Sequence, residues 1–196
     1  MAVRSTMTRL MQLLRGLTNA GTADYTIGLF TYWSNDHIQD ALDRHSVFVK
    51  DEPLYPKKSL DTGGVISYYD YQSKYRFFES TDGGTLRFIV KDSTGTAQTG
   101  WTANYENGEI TFSTDQAGAV YYLTGTSFDV YAAAADVWYQ KAAHAADMID
   151  FSTDGHNIKR SHLVQTALKM AQRYESMADA PVGSTSIGEM VRSDLQ

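Results

Sequence analysis

Five histidines, His37, His45, His144, His156 and His162, are the side chains of this sequence best suited to acid–base or metal chemistry. His144 and Asp147 stand three residues apart in an alanine-rich stretch with helical character, so both can turn toward one metal ion. No third ligand lies close by, and a solvated helix surface is the better account of the pair. His156 and His162 flank a helix start, where imidazole is ordinary. Ser-His-Asp sets recur by geometry rather than by chain order, so spacing alone does not test for one. The Gly-x-Ser-x-Gly elbow, the Gly-x-x-x-x-Gly-Lys phosphate loop and the dinucleotide Gly-x-Gly-x-x-Gly do not occur. A second candidate is aromatic. Tyr68, Tyr69, Tyr71 and Tyr75, with Trp101 and Tyr105, can stack on sugars or bases, or simply pack and form a protein interface. The expectation is a protein that is not an enzyme and has no metal and no cofactor.

The elements that must carry these residues are bounded by composition. A chain of 196 residues, 42% hydrophobic and 20% charged, can bury a real core as one large domain or two small ones. A net charge of −6 argues against a general nucleic-acid binder, though not against a protein that surrounds nucleic acid without gripping it. The absence of cysteine removes disulfides, thiolate nucleophiles and cysteine-ligated zinc, and points to an intracellular folding site. At the N-terminus Val3, Met7, Leu10, Met11, Leu14 and Leu17 recur at helical spacing, with Arg4, Arg9 and Arg15 between them. Arginines interrupt the apolar run a signal peptide needs, and no stretch reaches the roughly 20 apolar residues of a membrane span. A cationic amphipathic helix over a core is expected, without a membrane partner.

Asn19-Ala20-Gly21-Thr22 reads as a helix stop, and a short helix follows over about 35–45, capped by Ser34 or Asn35 with Ile38, Ala41 and Leu42 inside. From 46 to 126 the texture changes. Eight of the thirteen tyrosines lie there, and glycine turns recur. The expected strands are 47–50, 65–73, 75–80, 86–91, 101–105, 109–113 and 119–124. Asn107-Gly108 is the sharpest turn signal, suited to a type I′ hairpin. Such a region makes a small antiparallel barrel or sandwich.

Residues 128–178 read as two helices joined at Phe151-Ser152-Thr153-Asp154-Gly155. Eight alanines lie between 132 and 146, with Tyr131, Trp138 and Tyr139 among them, so neighbours can approach that helix closely on several faces. Residues 128–150 carry one lysine against four aspartates, and 159–178 carry four basic residues against one glutamate, so the paired helices attract. Tyr131, Ala134, Ala135, Trp138, Ala142 and Ala143 are the candidate subunit interface. The expected fold is α+β: a helical core, N-terminal helices plus a long C-terminal αα hairpin, interrupted by a large antiparallel β insertion. Its expected parts are a core of 1–45 and 127–178, an inserted β domain over 46–126 and an extended arm over 179–196. Val182, Ile187, Met190, Val191 and Leu195 are spaced along that arm as anchors.

The run Gly125-Thr126-Ser127-Phe128-Asp129-Val130-Tyr131-Ala132-Ala133-Ala134-Ala135-Asp136 resembles the head–tail connector, or adaptor, proteins of tailed bacteriophages. So do Lys141-Ala142-Ala143, Asp150 through Gly155, Lys159-Arg160-Ser161, Ala171-Gln172-Arg173-Tyr174 and the stretch from Trp33-Ser34 to Leu42-Asp43. The resemblance covers about half the chain. It implies a virion protein, made in the host cytoplasm, that forms a homo-oligomeric ring, commonly a dodecamer, in the neck between head and tail. Such a ring sits below the portal protein, meets a downstream neck or tail protein, and extends the channel through which DNA passes without specific binding. Terminal arms in the family often reach the portal, which implies portal docking for Val182, Ile187, Met190, Val191 and Leu195. Two other classes compete: a tyrosine-rich β module for carbohydrate or a host surface, and a metal-dependent hydrolase around His144 and Asp147.

Overall fold

The computed structural model describes residues 3–60, 64–80, 88–146, 151–153, 156–158 and 161–178. Four α-helices lie among them: α1 (Thr8–Thr18), α2 (Asn35–Arg44), α3 (Val130–Ala146) and α4 (Ser161–Glu175). A 3-10 turn, Ser5–Met7, leads into α1, which buries Leu10, Met11 and Leu14. Asn19 ends α1 in the left-handed region, φ 48°, with its N–H donating to the Arg15 carbonyl. The Ser34 hydroxyl accepts from His37 N–H at 3.4 Å to start α2, and Asp36 suits that positive end. Asp129 caps α3, accepting from the N–H groups of Tyr131 and Ala132 at 3.0 and 2.9 Å. No described helix is long and apolar enough to cross a membrane.

Eleven strands form four antiparallel sheets among the described residues. Two sheets are two-stranded ribbons: β1 (Tyr25–Ile27) with β2 (Phe30–Tyr32), and β10 (Phe151–Thr153) with β11 (His156–Ile158). In the three-stranded sheet β3 (Ser46–Pro53) and β6 (Phe88–Asp92) flank β9 (Tyr121–Phe128). In the four-stranded sheet β4 (Tyr55–Leu60) pairs with β5 (Ile66–Gln72), which pairs with β8 (Glu109–Phe112), which pairs with β7 (Trp101–Asn104).

This arrangement corrects the expected fold class. The chain is α+β but strand-rich. It is not a helical core closed by a long C-terminal αα hairpin and interrupted by a single β insertion. Strands stand on both sides of 46–126: β1 and β2 between α1 and α2, β10 and β11 between α3 and α4. The physical reason is local sequence. Tyr25-Thr26-Ile27 and Phe30-Thr31-Tyr32 are aromatic and β-branched triplets about Gly28, whose φ of 59° provides the first position of a two-residue turn. α3 still packs along α4, with Tyr131 stacked on Tyr174 at 6.4 Å. Two finer expectations also change. Residues 105–108 form a four-residue loop in which only Gly108 has positive φ, so the two-residue type I′ turn is not used. Residues 75–80 make a single bridge, Phe78 to Ser127, rather than a strand, because Phe77 is held at φ 55°.

Burial is organised around two clusters. Met7, Leu10 and Leu14 of the N-terminus meet Trp33, Ile38 and Leu42, and Phe128, Val130, Ala133 and Val137 complete that group. The second cluster lies between the two larger sheets, with Tyr71, Phe78, Phe88, Ile110, Tyr121 and Leu123 at its centre. Phe77 packs on the first cluster against Tyr131, and Phe78 in the second against Phe88. Between the clusters lies a charged clasp. Arg4 Nε donates to Glu79 at 3.0 Å, its guanidinium forks onto Asp43 at 2.9 and 2.5 Å, and its N–H donates to Gln39 at 2.7 Å.

Gly108 sits where a Cβ would lie 2.1 Å from the Tyr75 carbonyl oxygen, at φ +67°. Gly16, inside α1, faces open space. Gly108→Ala is expected to destabilise by at least about 2 kcal/mol, since the left-handed conformation alone costs about 1–2 kcal/mol before the clash. Gly16→Ala is expected to stabilise by about 0.5–1 kcal/mol. Urea titration of both variants checks the pair, and equal midpoints would contradict the geometry. Arg4→Ala, which strips a buried carboxylate of its cation, is expected to cost about 3 kcal/mol in the same assay.

Candidate assembly surfaces

The histidines with described side chains are engaged in structure or exposed. His144 lies flat on Tyr25, ring centroids 3.7 Å apart and planes 2° from parallel. His45 Nε2 meets Asp136 at 2.8 Å. His162 is exposed on α4. Asp147 falls outside the described residues, so the expected His144–Asp147 pair is only half described. Among the described residues no three His, Asp or Glu side chains converge in a way that could hold a metal ion. The aromatic group is also divided. Tyr71 is fully buried, Tyr75, Trp101 and Tyr105 pack on the second cluster, and of the six only Tyr69 is exposed. They do not form a flat stacking platform.

The candidate interface residues of α3 are largely covered by the chain itself. Ala134, Ala135 and Ala142 are buried, Tyr131 and Trp138 are half-buried, and Ala143 is exposed. Trp138 Nε1–H donates to the Leu17 carbonyl, and Tyr139 reaches Glu175 on α4 at 2.7 Å. An arginine at 134 would therefore break the monomer rather than report on assembly. Tyr139, which is 38% exposed, Ala143 and Ala146 are the exposed residues of this helix. Val182, Ile187, Met190, Val191 and Leu195 lie outside the described residues.

Sequence reasoning missed several large apolar side chains that the fold leaves exposed, Phe48 at 68% among them. At the β1–β2 turn Leu29 is 100% exposed and Phe30 64%, with Ile27 beside them. On the β4–β5 ribbon Leu60, Val65 and Ile66 are 72%, 63% and 48% exposed. Only Asp70, Tyr71 and Gln72 of β5 pair with β8, so the outer half of that ribbon extends past the sheet. The symmetric pattern Tyr-Thr-Ile-Gly-Leu-Phe-Thr-Tyr around Gly28 was the available signal for the first ribbon.

The first ribbon is held from below. Arg15 donates to the carbonyls of Ala20, Gly21 and Trp33 and to Asn35 Oδ1, at 2.6–2.9 Å, so one guanidinium fixes both ends of the segment. Burial pulls the Arg15 guanidinium below its ordinary range, with Asp24 opposing the shift. Lys141 donates to Thr18 and Asn19 carbonyls and pairs with Asp24 at 3.2 Å. Tyr32 stacks on Tyr25 at 4.7 Å, and Tyr25 on His144. Beside this column a cleft of about 220 Å³ opens between β2 and α2, walled by Phe30, Tyr32, Trp33, His37, Asp40 and Arg44. Trp33 Nε1 and His37 Nδ1 are buried without a hydrogen-bond partner among the described residues. Each such atom costs about 1–3 kcal/mol, so this corner of the molecule is incompletely satisfied.

Burial, followed by the charges of Tyr32 and Asp24, pushes the Tyr25 phenol up to about 12. Burial, followed by Tyr121 and Asp115, does the same to Tyr71, also to about 12. A raised folded value means the native state holds the proton longer than the unfolded chain. The associated stability is therefore complete below pH about 10 and falls as pH rises through 12. Tyr25→Phe and Tyr71→Phe should each flatten the decline in unfolding free energy between pH 10 and 12. A slope identical to the parent's in both variants would count against these environments.

No family model, no curated protein and no solved structure matches the chain.

Proposed function

We propose that this chain is a structural virion protein of the head–tail connector kind. Copies form a ring below the portal protein, meet a downstream neck or tail protein, and extend the channel along which DNA passes without specific binding. The observation that carries this reading is the pair of projecting β ribbons tipped with large apolar side chains, Leu29 and Phe30 on one, Leu60, Val65 and Ile66 on the other. Two-stranded ribbons are marginal in water by themselves. Apolar side chains gathered at separate protrusions, while both interior clusters are filled, belong to a component of an assembly. Several distinct contact patches suit a ring subunit, which needs different surfaces toward its two neighbours and toward the layers above and below. The acidic balance of −6 supports a channel that does not hold phosphates.

The scattered tyrosines weigh against the carbohydrate-binding alternative, since four of the six pack in or on the second cluster.

Light scattering and negative-stain imaging of the purified chain, alone and with portal rings, test the proposal. Rings, or decoration of portal rings, are expected. Leu29→Lys alters a fully exposed residue, so its melt should stay within about 0.5 kcal/mol of the parent, while assembly weakens. A chain that neither self-associates nor joins a portal ring would refute the reading, and unchanged assembly by Leu29→Lys would remove the ribbon from it.

A further inference from the structure

We propose that the β4–β5 ribbon of one copy seats in the aromatic cleft between β2 and α2 of the next copy, an inference that rests on the ring reading above. The ribbon needs a cover. Every residue of β4 is exposed, β4 is an edge strand, and the apolar residues Leu60, Val65 and Ile66 lie on the part that extends past the sheet. An edge strand also presents a row of unpaired backbone N–H and C=O groups along its outer side.

Charge selects the cleft as the cover. Lys58 is exposed on β4 and has no ion pair among the described residues, because neighbouring Lys57 takes Glu109 at 2.7 Å. On α2, Asp36 and Asp40 are exposed and unpaired among the described residues, with Asp40 on the cleft wall itself. Leu163 and Leu168, exposed on α4, share that helix with Lys169 and Arg173, which would repel Lys58. Opposite charge steers and registers a contact whose free energy comes from apolar burial.

Shape and symmetry agree with this choice. A cleft of about 220 Å³ lined by three aromatic rings holds one or two aliphatic side chains, the size of Leu60 with Ile66. Phe30, 64% exposed and on the cleft wall, enlarges the contact toward the roughly 800 Å² per partner of a specific interface. Trp33 Nε1 and His37 Nδ1, buried without a hydrogen-bond partner among the described residues, lie in two of the side chains that wall the cleft. The ribbon's main contacts are within its own sheet, whereas the cleft belongs to β2 and α2. Ribbon to cleft is therefore a head-to-tail contact between different surfaces, the kind that repeats around a ring.

The chain has no cysteine, so an engineered pair reports without background. The double variant Lys58→Cys with Asp40→Cys, oxidised and run without reductant, should give a ladder of covalent oligomers, while each single variant does not. The charge exchange provides a second readout. Asp40→Lys or Lys58→Asp alone should raise the concentration needed for assembly at least tenfold, and the two together should restore it. Absence of both the ladder and the rescue, with rings still forming, overturns this contact but leaves the connector reading intact. A protein that decorates portal rings yet stays monomeric alone at every concentration, with no ladder on the portal, also overturns it.

Discussion

A carboxyl group that is 1% exposed must find hydrogen-bond donors and a cation inside the protein, and Glu79 is in that position. Arg4 Nε and the Thr6 hydroxyl donate to it at 3.0 and 2.5 Å, and the Glu79 N–H donates to the Thr126 carbonyl at 3.0 Å. The same arginine forks onto Asp43, and those two acids, with the hydrogen bonds they accept, hold the guanidinium above its ordinary range against the opposing effect of burial. Three parts far apart in sequence thus converge: the segment before α1, the end of α2 and the extended stretch after β5. A buried ion pair is a poor source of net stability but a strict specifier of geometry. Here it ties the start of the chain and the end of α2 to the extended stretch after β5.

Phe77 and Phe78 translate that constraint into packing. Adjacent in sequence, they face different clusters, Phe77 toward Tyr131 and Phe78 toward Phe88. The chain turns between them at a left-handed phenylalanine, φ 55°, a conformation that a bulky side chain rarely adopts and that its surroundings must impose. The carbonyl of Phe77 accepts from Phe128 N–H, and its N–H donates to Glu106, which holds the backbone on both sides. β9 then carries the connection onward. Its buried and half-buried residues alternate from Tyr121 to Ser127, and Phe128 enters the helical cluster just before α3 begins. The strand and the helix it feeds are one continuous support.

How far the sequence revealed this depends on the range of the interaction. Helix α2 was legible because its cap Ser34, its first-turn Asp36 and its stripe Ile38, Ala41, Leu42 all lie within a dozen residues. Strands such as β7 and β8 were legible from composition and turns. β4 was not, because Tyr55-Pro56-Lys57-Lys58-Ser59-Leu60 has the proline and lysines of an edge strand, which read as loop. The strand expected over 75–80 failed because its backbone is set by Phe77 serving two clusters, a demand that no local pattern records. The Arg4–Glu79 clasp spans 75 residues of sequence and leaves no periodic trace. The alanines of α3 signal close packing both within the chain and against another copy, and Ala134 and Ala135 are buried in the cluster that α3 shares with α1 and α2 of the same chain. Small residues signal close approach but not whose backbone approaches.

The same distribution of interactions bears on function. Side chains able to do chemistry are tied into the frame: His144 under Tyr25, His45 on Asp136, Arg15 on four acceptors. Arg15 and Lys141 hold the backbone on either side of the first ribbon so firmly that Leu29 can stand entirely in water without the strands around it collapsing onto the core. A floppy loop bearing the same leucine would fold inward, since burying it gains roughly 1.5–3 kcal/mol. Keeping it out requires rigidity, and the rigidity is supplied by cations fixed on backbone carbonyls. Apolar groups held at rigid tips support the proposed reading of this chain as a subunit with protein neighbours.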